Sequence, residues 1–489
     1  MSRSLFWHDY ETFGIDPRRA RPAQVGGIRT DEELNIIGEP LMWYCQPADD
    51  FLPEPESCLI TGITPLQALQ HGVPEPEFAH LLHRELSQTG TCGVGYNSIR
   101  FDDEVTRFML WRNFYDPYGR EWQNDCSRWD LLDVVRACHA LRPEGIEWPR
   151  HDDGSPSFRL EHLTQANGLE HAQAHDALSD VMATLNVARL LRQHQPRLYE
   201  FCYGLRKKDA VIDQIDLANQ QPFLHVSGMF PASRGCLALM QPIGWHPVNR
   251  NELIAFDLSA DPTPLFDLSI EAIQQRVFTR STELPEGMER LPIKTIHINK
   301  SPIVVRNLKA LSGERAEQWG LDVDTCLQRS RQFLGQSEIS DKLAQVFTRN
   351  QENTGRSDVD EALYQGFISK RDDARRIRVR ELSPQMLATE RFGFDDPRLA
   401  ELLLRYRARN WPDSLNAEEQ TLWQEQRYRW LRDGEDGHLS VVDCRNRIAA
   451  LRTQHAANEA ALAILDSLEQ YLDHITQSLG TANGPPFRP

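Results

Sequence analysis

Near the start of the chain, the apolar run Phe6-Trp7 is followed by two acids two residues apart, Asp9 and Glu11. Side chains alternate across an extended strand, so both carboxylates project to one face. Carboxylates held side by side repel one another, and a divalent cation is the usual remedy. An exposed edge strand carries the same pair without a metal, so the pair alone leaves both readings open. A further acid comes from Gly95-Tyr96-Asn97 through Asp102-Asp103-Glu104, where a loop hands over to a helix. Either Asp102 or Asp103 is the candidate, against the alternative that acids at a helix start serve capping and the helix dipole. The third feature is His175 five residues ahead of Asp180. On one continuous helix that spacing turns the two side chains about 140° apart. His175 is therefore expected in the loop before the helix, with Asp176 as cap and Asp180 pointing inward from the next turn. The competing reading of His175 is an ordinary loop residue.

The elements that must position these groups follow from hydrophobic periodicity. Residues 4–10 and 39–45 read as strands. Residues 102–113, 158–167 and 177–193 read as helices, the second stopped by Asn167-Gly168. The first 195 residues thus alternate strand and helix, the pattern of an α/β domain. From 196 to 348 the texture changes to short β-rich runs at 222–228, 252–258 and 292–299, which predict a small barrel or open sheet. Beyond the polar stretch 349–358 the pattern is helical, with a final amphipathic run over 441–479 and a loose tail.

At 489 residues, with 40% hydrophobic and 26% charged, the chain reads as a soluble globular protein of two or three domains. It has no apolar stretch of membrane-spanning length, and its first residues lack the pattern of a signal peptide, so a cytoplasmic location is expected. The nine cysteines are scattered and never form a C-x-x-C pair, which predicts reduced, mostly buried thiols. A net charge of −17 opposes binding of a polyanion unless cations cluster locally. Candidate basic segments are 206–208, 371–380 and 405–409, with solvated helix faces as the alternative for each.

The order of the acids, D-x-E, then an aspartate about ninety residues on, then H-x-x-x-x-D, resembles the DEDDh family of 3′ to 5′ exonucleases. Its pattern falls on Asp9, Glu11, Asp102, His175 and Asp180 without departure. Phosphodiester hydrolysis must stabilise an attacking hydroxide, a crowded phosphorus centre and a leaving 3′-oxyanion, which two divalent cations about 4 Å apart do together. Hard oxygen ligands suit two Mg2+ ions, with Mn2+ able to substitute, and the absence of a His/Cys cluster disfavours zinc. The resemblance implies that Asp9, Glu11, Asp102 and Asp180 hold the metals, Asp9 bridging them, and that His175 is the general base.

The likeness narrows to the bacterial exonuclease I family. Asp9-Tyr10-Glu11-Thr12-Phe13-Gly14, Arg21-Pro22-Ala23-Gln24, Arg100-Phe101-Asp102-Asp103-Glu104 and Ser157-Phe158-Arg159-Leu160 resemble it, as do His225-Val226-Ser227-Gly228, Leu363-Tyr364-Gln365-Gly366-Phe367 and Tyr406-Arg407-Ala408-Arg409-Asn410. The last seventy or so residues carry no such motif. The resemblance implies a ribonuclease H-like exonuclease domain over 1–195, an SH3-like barrel over 196–348 and an all-α C-terminal domain over 349–489, forming a C-shaped clamp. It also implies a processive enzyme that needs a free 3′ end on single-stranded DNA and releases 5′-mononucleotides in repair, recombination and mismatch correction; apart from the resemblance, a monomer is expected. Its expected protein partner is the C-terminal tail of single-stranded DNA-binding protein, for whose carboxylate Arg142 is a suitable cation. A single-strand channel needs cations for phosphates and aromatic faces for bases. Arg107, Arg112, Tyr118, Trp122, Arg128 and Arg136 are candidate contacts, and Arg159 is expected at the terminal phosphate.

One alternative is an exoribonuclease or oligonucleotidase of the same class; the chain beyond residue 195 argues against it, because such members resemble the first domain alone. A catalytically silent single-strand-binding module would lack one of the five residues, and all five are filled. A helical scaffold leaves the acid and histidine pattern unexplained.

Overall fold

The computed structural model describes residues 3–170, 176–336, 338–349 and 358–480. The chain divides into two compact units, one of Met1–Ser127, Ala172–Met182 and Arg356–Pro489, the other of Arg128–His171 and Ala183–Gly355.

In the first unit, β1 (Ser4–Thr12), β2 (Pro22–Thr30), β3 (Leu41–Tyr44) and β4 (Thr91–Gly95) run in the order β3-β2-β1-β4. β1 pairs antiparallel with β2 and parallel with β4, so it is an interior strand. Its aromatic and β-branched content suits that place. Every residue of β1 but Asp9 is buried. The edge-strand reading of the Asp9/Glu11 pair is thereby excluded. Helices Glu75–Leu86 and Asp102–Arg112 contribute Phe78, Leu82, Val105 and Met109 to one core with Phe6, Tyr10 and Val25.

The C-terminal helices belong to this same unit. Ala408, Trp423, Trp430, Ile448, Leu465 and Tyr471 share a core with Phe13, Ala23 and Leu52. The final amphipathic run forms two helices, Val441–Gln454 and Glu459–Gly480. The basic run at 405–409 is not a solvent-facing patch. Arg405 binds Asp358 at 2.6 Å, Arg407 binds Glu419 at 2.7 Å, and Arg409 binds Asp50 at 2.7 Å and Asp360 at 2.5 Å. Burial would raise the Asp360 carboxyl, but Arg409, Arg405 and Arg21 around it hold it well below the usual carboxylate range. These arginines therefore balance buried acids and are committed inside the fold.

In the second unit, β5 (Ser127–Asp130) leads into helix Leu131–Leu141, capped by the Asp130 side chain on the Leu132 amide at 3.0 Å. That helix packs on a curled antiparallel sheet of β6 (Phe223–Val226), β7 (Leu237–Trp245), β8 (Glu252–Asp257), β9 (Ile293–His297) and β10 (Ile303–Val305), ordered β10-β6-β7-β8-β9. The three β-rich runs of the sequence become β6, β8 and β9. The same region also holds helices Pro196–Gly204, Ile270–Phe278 and Val323–Arg331, which its β texture concealed. Ile270–Phe278 buries only Ile273 and Val277, too few apolar positions to display a helical period.

The nine cysteines are buried and none is joined in a disulfide. Among the described residues, no helix is long and apolar enough to cross a membrane.

Candidate active site

Three elements of the first unit deliver acids to one place. β1 presents Asp9 and Glu11, and the first turn of helix Ala177–His194 adds Asp180. Carboxylate oxygens of the three lie within 4.8 Å of one another. Helix Asp102–Arg112 starts beside them, and the Tyr10 amide donates to Asp102 Oδ1 at 3.1 Å. Asp102 is 3% exposed. His175 lies outside the described residues. Asp176 accepts from the Ser179 amide at 3.0 Å, the capping role expected of it.

β2 explains why the Asp180 helix can come so close. Gly26 is the cross-strand partner of Asp9, and a Cβ there would lie 2.5 Å from the Ala177 carbonyl carbon and 2.6 Å from the Leu178 nitrogen. The missing side chain is the space the helix start fills. Two residues before it, the Gln24 side chain accepts from the Ala177 amide at 3.3 Å. Gly26→Ala must therefore push helix backbone away from β1. We expect a stability loss of about 1–3 kcal/mol by denaturant melting and, because about 1 Å of misplacement can cost 100-fold, a disproportionate loss of activity at temperatures where the variant stays folded.

The acids are electrostatically strained. Glu11 is pushed up to about 8 by burial, with Asp180, Asp102 and Asp176 adding repulsion. Asp9 is raised well above its ordinary value by burial, then by Asp102, Glu11 and Asp180. A cluster that cannot carry all its charges unaided, built from oxygen donors alone, fits hard divalent cations. Among the described residues, Asp9, Glu11 and Asp180 form the single group of three or more potential ligands so close together.

The structure also separates Asp102 from Asp103. Adjacent helical residues diverge by about 100°. Asp102 faces β1, whereas Asp103 is buried against Arg120 Nη2 at 2.5 Å. Arg120, Gln24 and Gly26 were not singled out from the sequence for roles at the site: a lone buried arginine and a strand glycine carry no local signature of their partners.

The remaining candidates are placed variously. In the first unit, Trp122 is 67% exposed and Tyr118 is half-buried beneath the Arg107 guanidinium, 5.2 Å above its ring. Arg107 is held by Glu121 at 2.7 Å, Glu104 at 2.8 Å and the Tyr364 hydroxyl at 2.9 Å. Arg112 is buried against Glu75 at 3.0 Å and faces the interior rather than solvent. In the second unit, Arg128 is buried with Nη2 3.4 Å from the Asn299 carbonyl, and Arg136 pairs with Asp133 at 2.6 Å. There Arg142 is half-buried and donates to the Ala310 carbonyl at 2.7 Å, while Arg159 is exposed.

Family models match nearly the whole chain: an exonuclease model over residues 6–188, the exonuclease I SH3-like domain over 206–349 and the exonuclease I C-terminal domain over 357–475. The chain is 44% identical to exodeoxyribonuclease I of Escherichia coli strain K12 over 473 residues, covering 96% of this chain and 98% of that protein. A crystal structure of E. coli exonuclease I with a dA16 oligonucleotide superposes with a TM-score of 0.92 at 43% identity, covering 97% of this chain and all of that one. A structure described as SSB/exonuclease I with an inhibitor gives 0.89 at 42% identity, with the same 97% and 100% coverage.

Proposed function

The chain belongs to the exonuclease I family, and from that premise we propose that it is a 3′ to 5′ exonuclease of single-stranded DNA that releases 5′-mononucleotides. The observation that carries this reading is the convergence of Asp9, Glu11 and Asp180 within 4.8 Å, with Asp102 tied to the same strand at the Tyr10 amide.

Asp9, Glu11, Asp102 and Asp180 would hold two Mg2+ ions, or Mn2+ in their place. When bound, these cations supply a hydroxide nucleophile and stabilise charge on the phosphate and the leaving 3′-oxygen. The chain's own residues do the rest. Asp102 is fixed by the Tyr10 amide, so its carboxylate needs no reorganisation when substrate arrives. His175 would accept a proton from the attacking water, from a position one residue ahead of the Asp176 cap.

Trp122, widely exposed, and Tyr118 offer faces on which bases can stack. Arg159 would meet the terminal phosphate, and Arg128 and Arg136 the backbone. Arg107 is preset by Glu104 and Glu121, so a phosphate would compete for its N–H groups. Arg112 is assigned a structural role with Glu75. The matched stretches support a division into an exonuclease segment over 1–195, an SH3-like segment over 196–348 and a helical segment over 349–489. We assign Arg142 to the C-terminal carboxylate of a single-stranded DNA-binding protein, and take the enzyme to be a cytoplasmic monomer acting in DNA repair, recombination and mismatch correction.

The test presents 3′-labelled and 5′-labelled single-stranded DNA, duplex DNA and RNA to the purified chain, with Mg2+ or with chelator. Mononucleotide release from the 3′ end of single-stranded DNA, dependent on metal, is the expected result. Faster digestion of RNA would assign the site to ribonucleotides instead, and tight binding without cleavage would make the chain a binding module.

A further inference from the structure

Behind the acid cluster lies a buried cation that the proposed chemistry does not use. The Arg120 side chain is 1% exposed and its Nη2 meets Asp103, also 1% exposed, at 2.5 Å. Among the described residues, its Nε and Nη1 have no hydrogen-bond partner. A Cβ added to Gly93 of β4 would lie 3.3 Å from Arg120 Nη1 and 3.6 Å from His8 Cε1. The guanidinium thus occupies room left by Gly93, beside the His8 ring. His8 is the neighbour of Asp9 on β1 and projects to the opposite face.

One side chain therefore links β4 at Gly93 with the start of helix Asp102–Arg112 at Asp103, and β4 pairs directly with β1. Asp103 is covalently next to Asp102. The Asp102 carboxylate is aimed at β1 by the Tyr10 amide, and the Thr106 hydroxyl donates to the Asp102 carbonyl at 2.8 Å, fixing the turn behind it. We propose that Arg120 is a positioning residue for metal binding: by clamping Asp103 it holds the helix start, and hence Asp102, in register with Asp9. This deepens the functional reading above and rests on it.

A buried ion pair is weak support for stability as such, because desolvation offsets much of the attraction, whereas removing one partner orphans a charge. That asymmetry supplies the test. Mn2+ binding to the metal-free protein is measured by calorimetry for wild type, Arg120→Lys, Arg120→Met and the double variant Asp103→Asn/Arg120→Met, alongside thermal melting and cleavage of single-stranded DNA. Groups that orient ligands from behind typically change metal affinity by about 10- to 100-fold, and we expect that loss for Arg120→Met, with kcat falling and KM for DNA unchanged. Arg120→Lys recovers part of the affinity. The double variant, with no orphaned charge, regains thermal stability but still binds Mn2+ weakly; it also decides the matter if Arg120→Met does not fold. Wild-type Mn2+ affinity in either uncharged variant, or recovery of affinity together with stability in the double variant, overturns the positioning role. A wild type that binds Mn2+ but leaves DNA intact overturns the functional reading while the affinities still decide this one, and a wild type that binds no Mn2+ overturns both.

Discussion

Replacing Asp9 by alanine is expected to slow cleavage of single-stranded DNA by at least about 10³-fold while leaving the protein folded and able to bind the strand. The carboxylate stands on the interior strand β1 among Asp102, Glu11 and Asp180, and each of these raises its affinity for a proton. Removing it takes away one of the proposed metal ligands, so the loss falls on catalysis. It also removes repulsion from a crowded cluster, so the metal-free variant should melt no lower than wild type. The paired measurement is single-turnover cleavage with saturating Mg2+ and a melting curve in chelator. Activity within tenfold of wild type would show that the cluster is not the reaction centre. A large fall in melting temperature would show that Asp9 is a structural group.

The second large effect is a linkage between pH, metal and stability at Glu11. Its carboxyl is 6% exposed and lies near pH 8 in the fold against 4.5 ordinarily, raised by burial and then by Asp180, Asp102 and Asp176. The folded protein consequently holds a proton that the unfolded chain has released between those two values. Stability attributable to this group is greatest below about pH 4.5, declines as pH rises to about 8, and stays low above it, a difference on the order of a few kcal/mol. Glu11→Gln removes the penalty, so the metal-free variant should be more stable than wild type at pH 8 and indistinguishable near pH 5. Metal must displace the same proton. Wild-type affinity for Mn2+ should therefore climb with pH and level off above about pH 8, with proton release visible as a buffer-dependent heat in calorimetry. The variant should lose that proton release and bind the ion weakly. Equal stability of the two proteins at pH 8 in chelator would refute the strained-carboxylate account.

Much of this site was legible because its signals are local. Strand alternation puts Asp9 and Glu11 on one face within three residues. The five-residue spacing to Asp180, read with a cap at Asp176, required a loop followed by a helix, and the cap is present. The three textures along the chain, α/β, β-rich and helical, follow from the period of apolar residues and reappear as the mixed sheet, the curled antiparallel sheet and the C-terminal helices. The motifs, read together, also sufficed to identify the family.

Tertiary structure alone decided which charge meets which. Asp102 and Asp103 are indistinguishable by type and spacing; they part because Arg120, seventeen positions beyond Asp103, claims the second. Arg409 reads as a cation for phosphate until Asp50, 359 residues away, is placed against it. Arg112 follows the same logic with Glu75, and Gly26 gains its meaning only when the Ala177 backbone occupies the space its side chain would take. The physical reason is range. Backbone geometry couples residues within a turn or a strand, so its periodicities are written locally, whereas burial makes an ion pair or a close approach depend on partners brought together by the fold.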